Sequence, residues 1–227
     1  MLSISATDDW RTTHPGAVIG LLEVSGVDNT RPSPELDAEK RATEAHLRER
    51  YAGFARSDFV SLPVMAAYQK YYKRFTKTYH VLLQVESIVL KGKSLPDVSP
   101  LVDANFAAEV DSLVLTASHD VKKLVAPVVM DVSRAGDQIV RMNGEPKLMD
   151  AGDMVMRDAT SVVCSIIYGQ DNVSPVTLST THALYVAYAP AGVSAETVES
   201  HLRRVEENIR LFCPSAVREQ LLLLEAN

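Results

Sequence analysis

The apolar run at residues 17–25, Ala-Val-Ile-Gly-Leu-Leu-Glu-Val-Ser, is short, nearly continuous and closed by Gly26 and Asn29, which predicts a buried strand. Ser33 and Pro34 then read as an N-cap and a first-turn proline, with Glu35 and Asp37 beside the positive helix end. Leu36, Leu47, Tyr51 and Phe54 mark an apolar side and Glu35, Glu39, Lys40, Arg48 and Glu49 a wet one, so a helix is expected to about Phe54. Pro63 restarts the chain, and helices are expected over 64–72 and 81–90, the second ended by Gly92 as a C′ glycine.

From Pro100 the texture changes to strands. The first would carry Asp103 and Asn105, which two apart on a strand share one face. Ser112 to Thr116 reads as extended, and further strands are expected over 126–133, 138–142, 154–158, 161–168 and 183–188. Asn143-Gly144 is the strongest hairpin signal in the chain, and turns are expected at 134–136 and 151–153. Ser194 caps a helix running to Phe212, and a short helix after Pro214 would close the chain near Leu224. The order of strand, helices, many strands and a helix predicts an α+β fold: a single domain over 1–227, with a sheet-rich core flanked by helices.

Composition narrows the function classes. With 46% hydrophobic and 23% charged residues, a chain of 227 residues buries a sizeable core and needs no disulfide or metal to hold it. Two distant cysteines, Cys164 and Cys213, make no disulfide framework, which points to a reducing, cytoplasmic setting. The first ten residues lack a signal-peptide pattern, and no apolar run is long enough for a membrane span, so no membrane partner is expected. A net charge of −6 argues against nucleic-acid binding by bulk charge and leaves only a local basic patch. The candidate patch is Lys70-Tyr-Tyr-Lys-Arg-Phe-Thr-Lys-Thr-Tyr79. It reads either as a solvated basic face with its aromatics in the core, or as a surface for phosphates and stacked bases.

No histidine or cysteine shows metal-ligand spacing, and neither a Gly-rich phosphate loop nor a Gly-x-Ser-x-Gly elbow is present, so no metal or cofactor is expected. Three polar constellations remain: Asp103 with Asn105; Ser118-His119-Asp120; and Tyr168-Gly-Gln-Asp-Asn172 followed by Val176-Thr-Leu-Ser-Thr-Thr181. Each is also ordinary turn or cap chemistry.

These same residues resemble the B3/B4 domain, the tRNA-binding and editing module of the phenylalanine–tRNA ligase beta subunit that also occurs free-standing in bacteria. The resemblance covers roughly Val64 to Pro214. It is carried by Leu90-Lys-Gly-Lys-Ser-Leu-Pro96 leading to Leu101-Val-Asp-Ala-Asn-Phe106, by His119-Asp120-Val-x-Lys-Leu124, by Gly152-Asp-Met-Val-x-x-Asp158, and by Gly169-Gln-Asp-Asn with Val176-Thr-x-x-Thr180. The chain departs from the family at Ser87 and Ile88, where a basic pair is usual. It departs again at Ile166-Ile-Tyr-Gly169, in place of a tryptophan-rich strand, and at Gln170, where the ligase glutamate helps to recognise a tyrosyl group. The resemblance implies a pocket that receives the aminoacyl end of a tRNA and hydrolyses a mischarged ester, with tRNA or aminoacyl-tRNA as partner and no role for DNA. It implies His119 and Asn105 as catalytic residues, and Gly169, Gln170, Thr177 and Thr180 as substrate contacts. Lys70, Lys73, Arg74, Lys77, Lys91 and Lys93 would meet the RNA. The alternatives are a non-catalytic RNA- or tRNA-binding module and a small amino-acid-binding protein that has lost the RNA.

Overall fold

The apolar run after Gly16 becomes the strand around which the larger sheet is laid. In the computed structural model, which describes residues 1–227, β1 (Ile4–Ala6) and α1 (Asp8–Thr13) precede it, and β2 (Val18–Ser25) buries all but its last residue. A helical block follows: α2 (Pro34–Arg50), α3 (Arg56–Ser61), α4 (Pro63–Lys73), α5 (His80–Val89) and α6 (Pro100–Ser112). Then come β3 (Thr116–Asp120), a single 3-10 turn at Val121–Lys123, β4 (Val128–Val132), β5 (Gln138–Val140), β6 (Pro146–Leu148) and β7 (Met154–Arg157). The chain ends with β8 (Val162–Ser165), β9 (Gly169–Gln170), β10 (His182–Ala189), α7 (Ala195–Phe212) and β11 (Val217–Glu225).

Two sheets result. One is antiparallel with strand order β11-β2-β10-β3. The other has order β1-β4-β7-β8-β9 and is antiparallel except for the parallel β1–β4 pair. The Asn143-Gly144 signal is realised in the separate hairpin β5–β6, with Gly144 at φ 82°. Helix α7 crosses β2 where Gly20 has no side chain, and a Cβ there would run into the methyl groups of Val198 and Leu202.

Helix α4 ties the two sheets together through one face. Tyr68, Tyr71 and Tyr72 sit at helical spacing, and every hydroxyl is satisfied at depth. Tyr68 Oη donates to the Tyr188 carbonyl of β10 at 2.7 Å and accepts from the Leu115 amide at 3.0 Å. On the other sheet, Tyr72 Oη donates to the Ile166 carbonyl at 2.7 Å and Tyr71 Oη to Asp153 Oδ1 at 2.7 Å. Tyr79 stacks on Tyr68 with ring centres 4.2 Å apart and donates to the Leu113 carbonyl at 2.9 Å. The aromatics of the basic stretch are therefore core residues, which removes them as a platform for stacked bases. One apolar core runs continuously from Trp10 to Ala226 through both sheets.

Three expectations are overturned. Residues 100–112 are a helix, not a strand: Pro100 sits in its first turn, and Ala104, Ala107 and Ala108 favour helix. Asp103 and Asn105 thus point to different neighbours, Lys40 and the Thr116 carbonyl. The C-terminal segment is β11, not a helix, because the run Leu221–Leu224 pairs with Leu22–Ile19 of β2. Helix α2 ends at Arg50, with Tyr51 as its C-cap and Gly53 at φ 81°. No helix is long and apolar enough to cross a membrane.

Candidate functional site

Strand β3 is the outer edge of its sheet and β9 the outer edge of the other, and a cavity of about 370 Å³ opens where these edges meet α6. Its walls are Val102, Asn105 and Phe106 of α6, the 115–118 stretch entering β3, and Cys164 to Ile166 with Gly169 and Gln170. Pro175, Val176 and Tyr188 complete it, and His80, Val98 and the hairpin residue Met142 stand exposed at its rim. No Asp, Glu, Lys or Arg lines it.

The polar groups are arranged along the outer edge of β3, ahead of the point where Ser174 and Pro175 bridge it at His119 and Asp120. Residues 117 and 119 face β10, so the amides and carbonyls of Thr116 and Ser118 turn outward. Asn105 Nδ2 donates to the Thr116 carbonyl at 3.2 Å, and Gln170 Nε2 donates to the Ser118 carbonyl at 2.7 Å. The Ser118 N–H points outward between these two capped carbonyls. Asn105 is buried, and its Oδ1 has no hydrogen-bond partner.

Gln170 is itself held from behind. Its Nε2 also donates to the Ser174 carbonyl at 3.1 Å, so both amide protons are engaged. His119 Nδ1, 3.1 Å from that nitrogen, then donates to Ser174 Oγ at 2.7 Å, and Ser174 Oγ donates to Asp171 Oδ1 at 2.6 Å. This chain fixes the Nδ1–H tautomer. Burial lowers the His119 pKa to about 3, so the ring is neutral. His119 is fully buried and lies behind Gln170 rather than in the cavity wall.

The cavity holds no ready nucleophile. Burial pushes the Cys164 thiol up to about 12, and its neighbour is the Tyr188 hydroxyl. Ser165 Oγ donates to Asp153 and accepts from the Ile167 and Tyr168 amides, which leaves no lone pair for activation. Burial raises Asp153 to about 7 against the donors Ser165, Tyr71 and the Ile167 amide. The cavity has room for a group of amino-acid size and presents an amide donor and a carboxamide acceptor on an uncharged lining.

The structure thus brings Asn105, Gly169 and Gln170 into one cavity, and it leaves Thr177 and Thr180 outside. Thr180 Oγ1 donates to Asp120 Oδ2 at 2.8 Å and accepts from the Thr177 amide at 2.9 Å, which locks a turn. Gly169 has φ 85°, a backbone only glycine adopts without strain. Lys70, Lys73, Arg74, Lys77, Lys91 and Lys93 are all exposed. Sequence reasoning named Ser118 and Phe106 only as parts of motifs, with no role in a site, and did not single out His80. The strand alternation of Ser118-His119-Asp120 was the available signal, since it turns Ser118 and His119 to opposite sides. The carboxylates of Asp37, Asp97 and Asp103 lie within 4.8 Å of one another. Lys40 Nζ already bridges two of them, 2.6 Å from Asp97 and 2.9 Å from Asp103.

No known family pattern matches the chain, and no curated protein matches it in sequence. Among solved structures it is similar to an N-terminal fragment of the phenylalanyl-tRNA synthetase beta-subunit from Pyrococcus horikoshii, at 9% identity and a TM-score of 0.47. The match covers 96% of this chain and 54% of that fragment.

Proposed function

We propose that this chain is a B3/B4-like domain whose cavity receives the aminoacyl end of a mischarged tRNA and hydrolyses the ester. One observation carries the reading: Asn105 and the adjacent pair Gly169 and Gln170, distant from each other in sequence and all implied by the family resemblance, line one uncharged cavity of amino-acid size. In this reading the Asn105 Oδ1 accepts from the substrate ammonium, and the outward Ser118 N–H donates to the oxyanion that develops as water attacks the ester carbonyl. Gln170 shapes the wall. His119 acts through Gln170 and is a positioning residue rather than a catalytic one. The reaction consumes one water and releases the free amino acid and the tRNA 3′ hydroxyl. The exposed cations Lys70, Lys73, Arg74, Lys77, Lys91 and Lys93 form no ion pairs and remain available for phosphates.

The wall carries no ionised general base, and that favours a second reading, a module that binds the same ligand without cleaving it. One experiment separates the two: release of amino acid from a panel of radiolabelled mischarged tRNAs, with filter retention measured in parallel. Release from one or a few members is expected, slowed about tenfold or more in Asn105→Ala and Gln170→Ala. Retention that weakens steeply with salt, without release, assigns the chain to the binding module. Neither release nor retention overturns both.

A further inference from the structure

A second cavity lies between α4 and the turn joining α1 to β2, and measures about 180 Å³. Its charged lining residues are Lys70 and Arg74, and no carboxylate faces them. For Arg74 that is unusual, since most arginines of the chain find a carboxylate, whereas Lys40 is the one lysine that does. Lys70 and Arg74 stand four residues apart on one helix face, where like charges repel unless an anion sits between them.

Arg74 is also held in place. Its guanidinium lies 5.1 Å from the Tyr71 ring centre and 5.4 Å from that of Phe75, and Nη2 donates to the Gly152 carbonyl at 3.2 Å. The third wall is His14, which is 5% exposed and has no hydrogen-bond partner for Nε2. Burial and the charge of Arg74 lower its pKa to about 4, so at neutral pH it is an uncharged imidazole. A fixed guanidinium and an exposed ammonium on one helix face, with an imidazole across the cleft, line one small space, and several donors of this kind suit the oxygens of a phosphate group.

We propose that this cleft, framed by His14, Lys70 and Arg74, is a binding site for a phosphate group. Lys70 and Arg74 are also among the cations offered to tRNA in the proposed function, but neither lines the first cavity, so phosphate binding and amino-acid release are measured separately and can fail separately. The test is a titration of the full chain with inorganic phosphate, read by the backbone amides of Gly16, Ala17 and Ala191. Saturable shifts are expected. Lys70→Met and Arg74→Met should each weaken binding about tenfold, the loss of one charge-assisted contact. Lys70→Met is the safer variant, since the lysine head is exposed and no hydrogen bond to it is formed within the protein. Binding unchanged in both variants, equal binding of acetate, or no saturable shift at millimolar phosphate overturns the proposal. A short single-stranded RNA added as competitor identifies the source. Displacement of phosphate from these amides marks an RNA phosphodiester as the ligand, whereas undisturbed phosphate binding marks the free ion.

Discussion

His119 shows how much a residue's chemistry depends on what surrounds it. In the sequence, a histidine beside a serine and an aspartate resembles acid–base machinery. In the fold, its Nδ1 is committed to Ser174 and it is sealed from water behind Gln170. Desolvation penalises the imidazolium, and no carboxylate contacts the ring to offset this. His119 should therefore show no titration between about pH 5 and 8, the range in which an unperturbed histidine changes charge. Ring carbon and proton shifts followed across that range check this. A midpoint near the ordinary histidine value would mean that the ring reaches water, and the positioning role would then be abandoned. The same residue shows what a sequence leaves out: the alternation of β3 was readable, but the Asp171–Ser174 chain that fixes the ring depends on a loop more than 50 positions away.

At the scale of elements, legibility followed the strength of the local signal. Strands β2 and β10, helices α4, α5 and α7 and the β5–β6 hairpin were all readable, because capping residues, turn glycines and period agreed there. Helix α6 was not. Its face toward Lys40 and its face toward β3 are both buried, so its pattern of apolar positions loses the contrast that marks a surface helix. Strand β11 failed for the opposite reason: its half-buried leucines on both faces look helical until β2 is there to pair with them. The buried Lys40–Asp103 contact between α2 and α6 is the tertiary consequence of the α6 helix. Lys40→Met should cost about 2–4 kcal/mol, less than a fully enclosed pair because Asp97 opens the cluster to solvent. Adding Asp103→Asn should recover at least half of that. Asn keeps an acceptor for the Val98 amide and removes the stranded charge. Urea denaturation of both variants decides it, and a double variant no more stable than the single one would show that the ion pair is not what holds α2 to α6.

For the whole molecule, buried ionisable groups set a stability curve with two opposing limbs. His14, His119 and His201 are held neutral, with pKa values lowered to about 4, about 3 and about 4. Below the ordinary histidine value the unfolded chain takes up protons that the folded chain refuses, so these residues cost stability as pH falls. Glu109 and Asp153 act the other way, raised by burial to about 8 and about 7. The folded chain keeps their protons after the unfolded chain has lost them, so they cost stability as pH rises through those values. Between the carboxylate and histidine ranges the three histidines outweigh the two carboxyls by one proton, so stability still rises gently with pH. Above about pH 6.5 only the carboxyls remain, and roughly 2–3 kcal/mol should be lost by about pH 8. Stability should therefore peak near pH 6. Both carboxyls also sit at structural joins: Glu109 Oε2 accepts from the Thr116 amide at 2.8 Å beside the first cavity. Asp153 lies between the Tyr71 hydroxyl of the phosphate cleft and Ser165 of that first cavity. In Glu109→Gln, which keeps the acceptor for Thr116 and removes the titration, most of the loss between about pH 7 and 8 should disappear, leaving the smaller part due to Asp153, while the fall toward acid stays. Denaturant midpoints measured across that range test the assignment, and an alkaline limb identical in the variant would mean that Glu109 is already ionised in the folded chain.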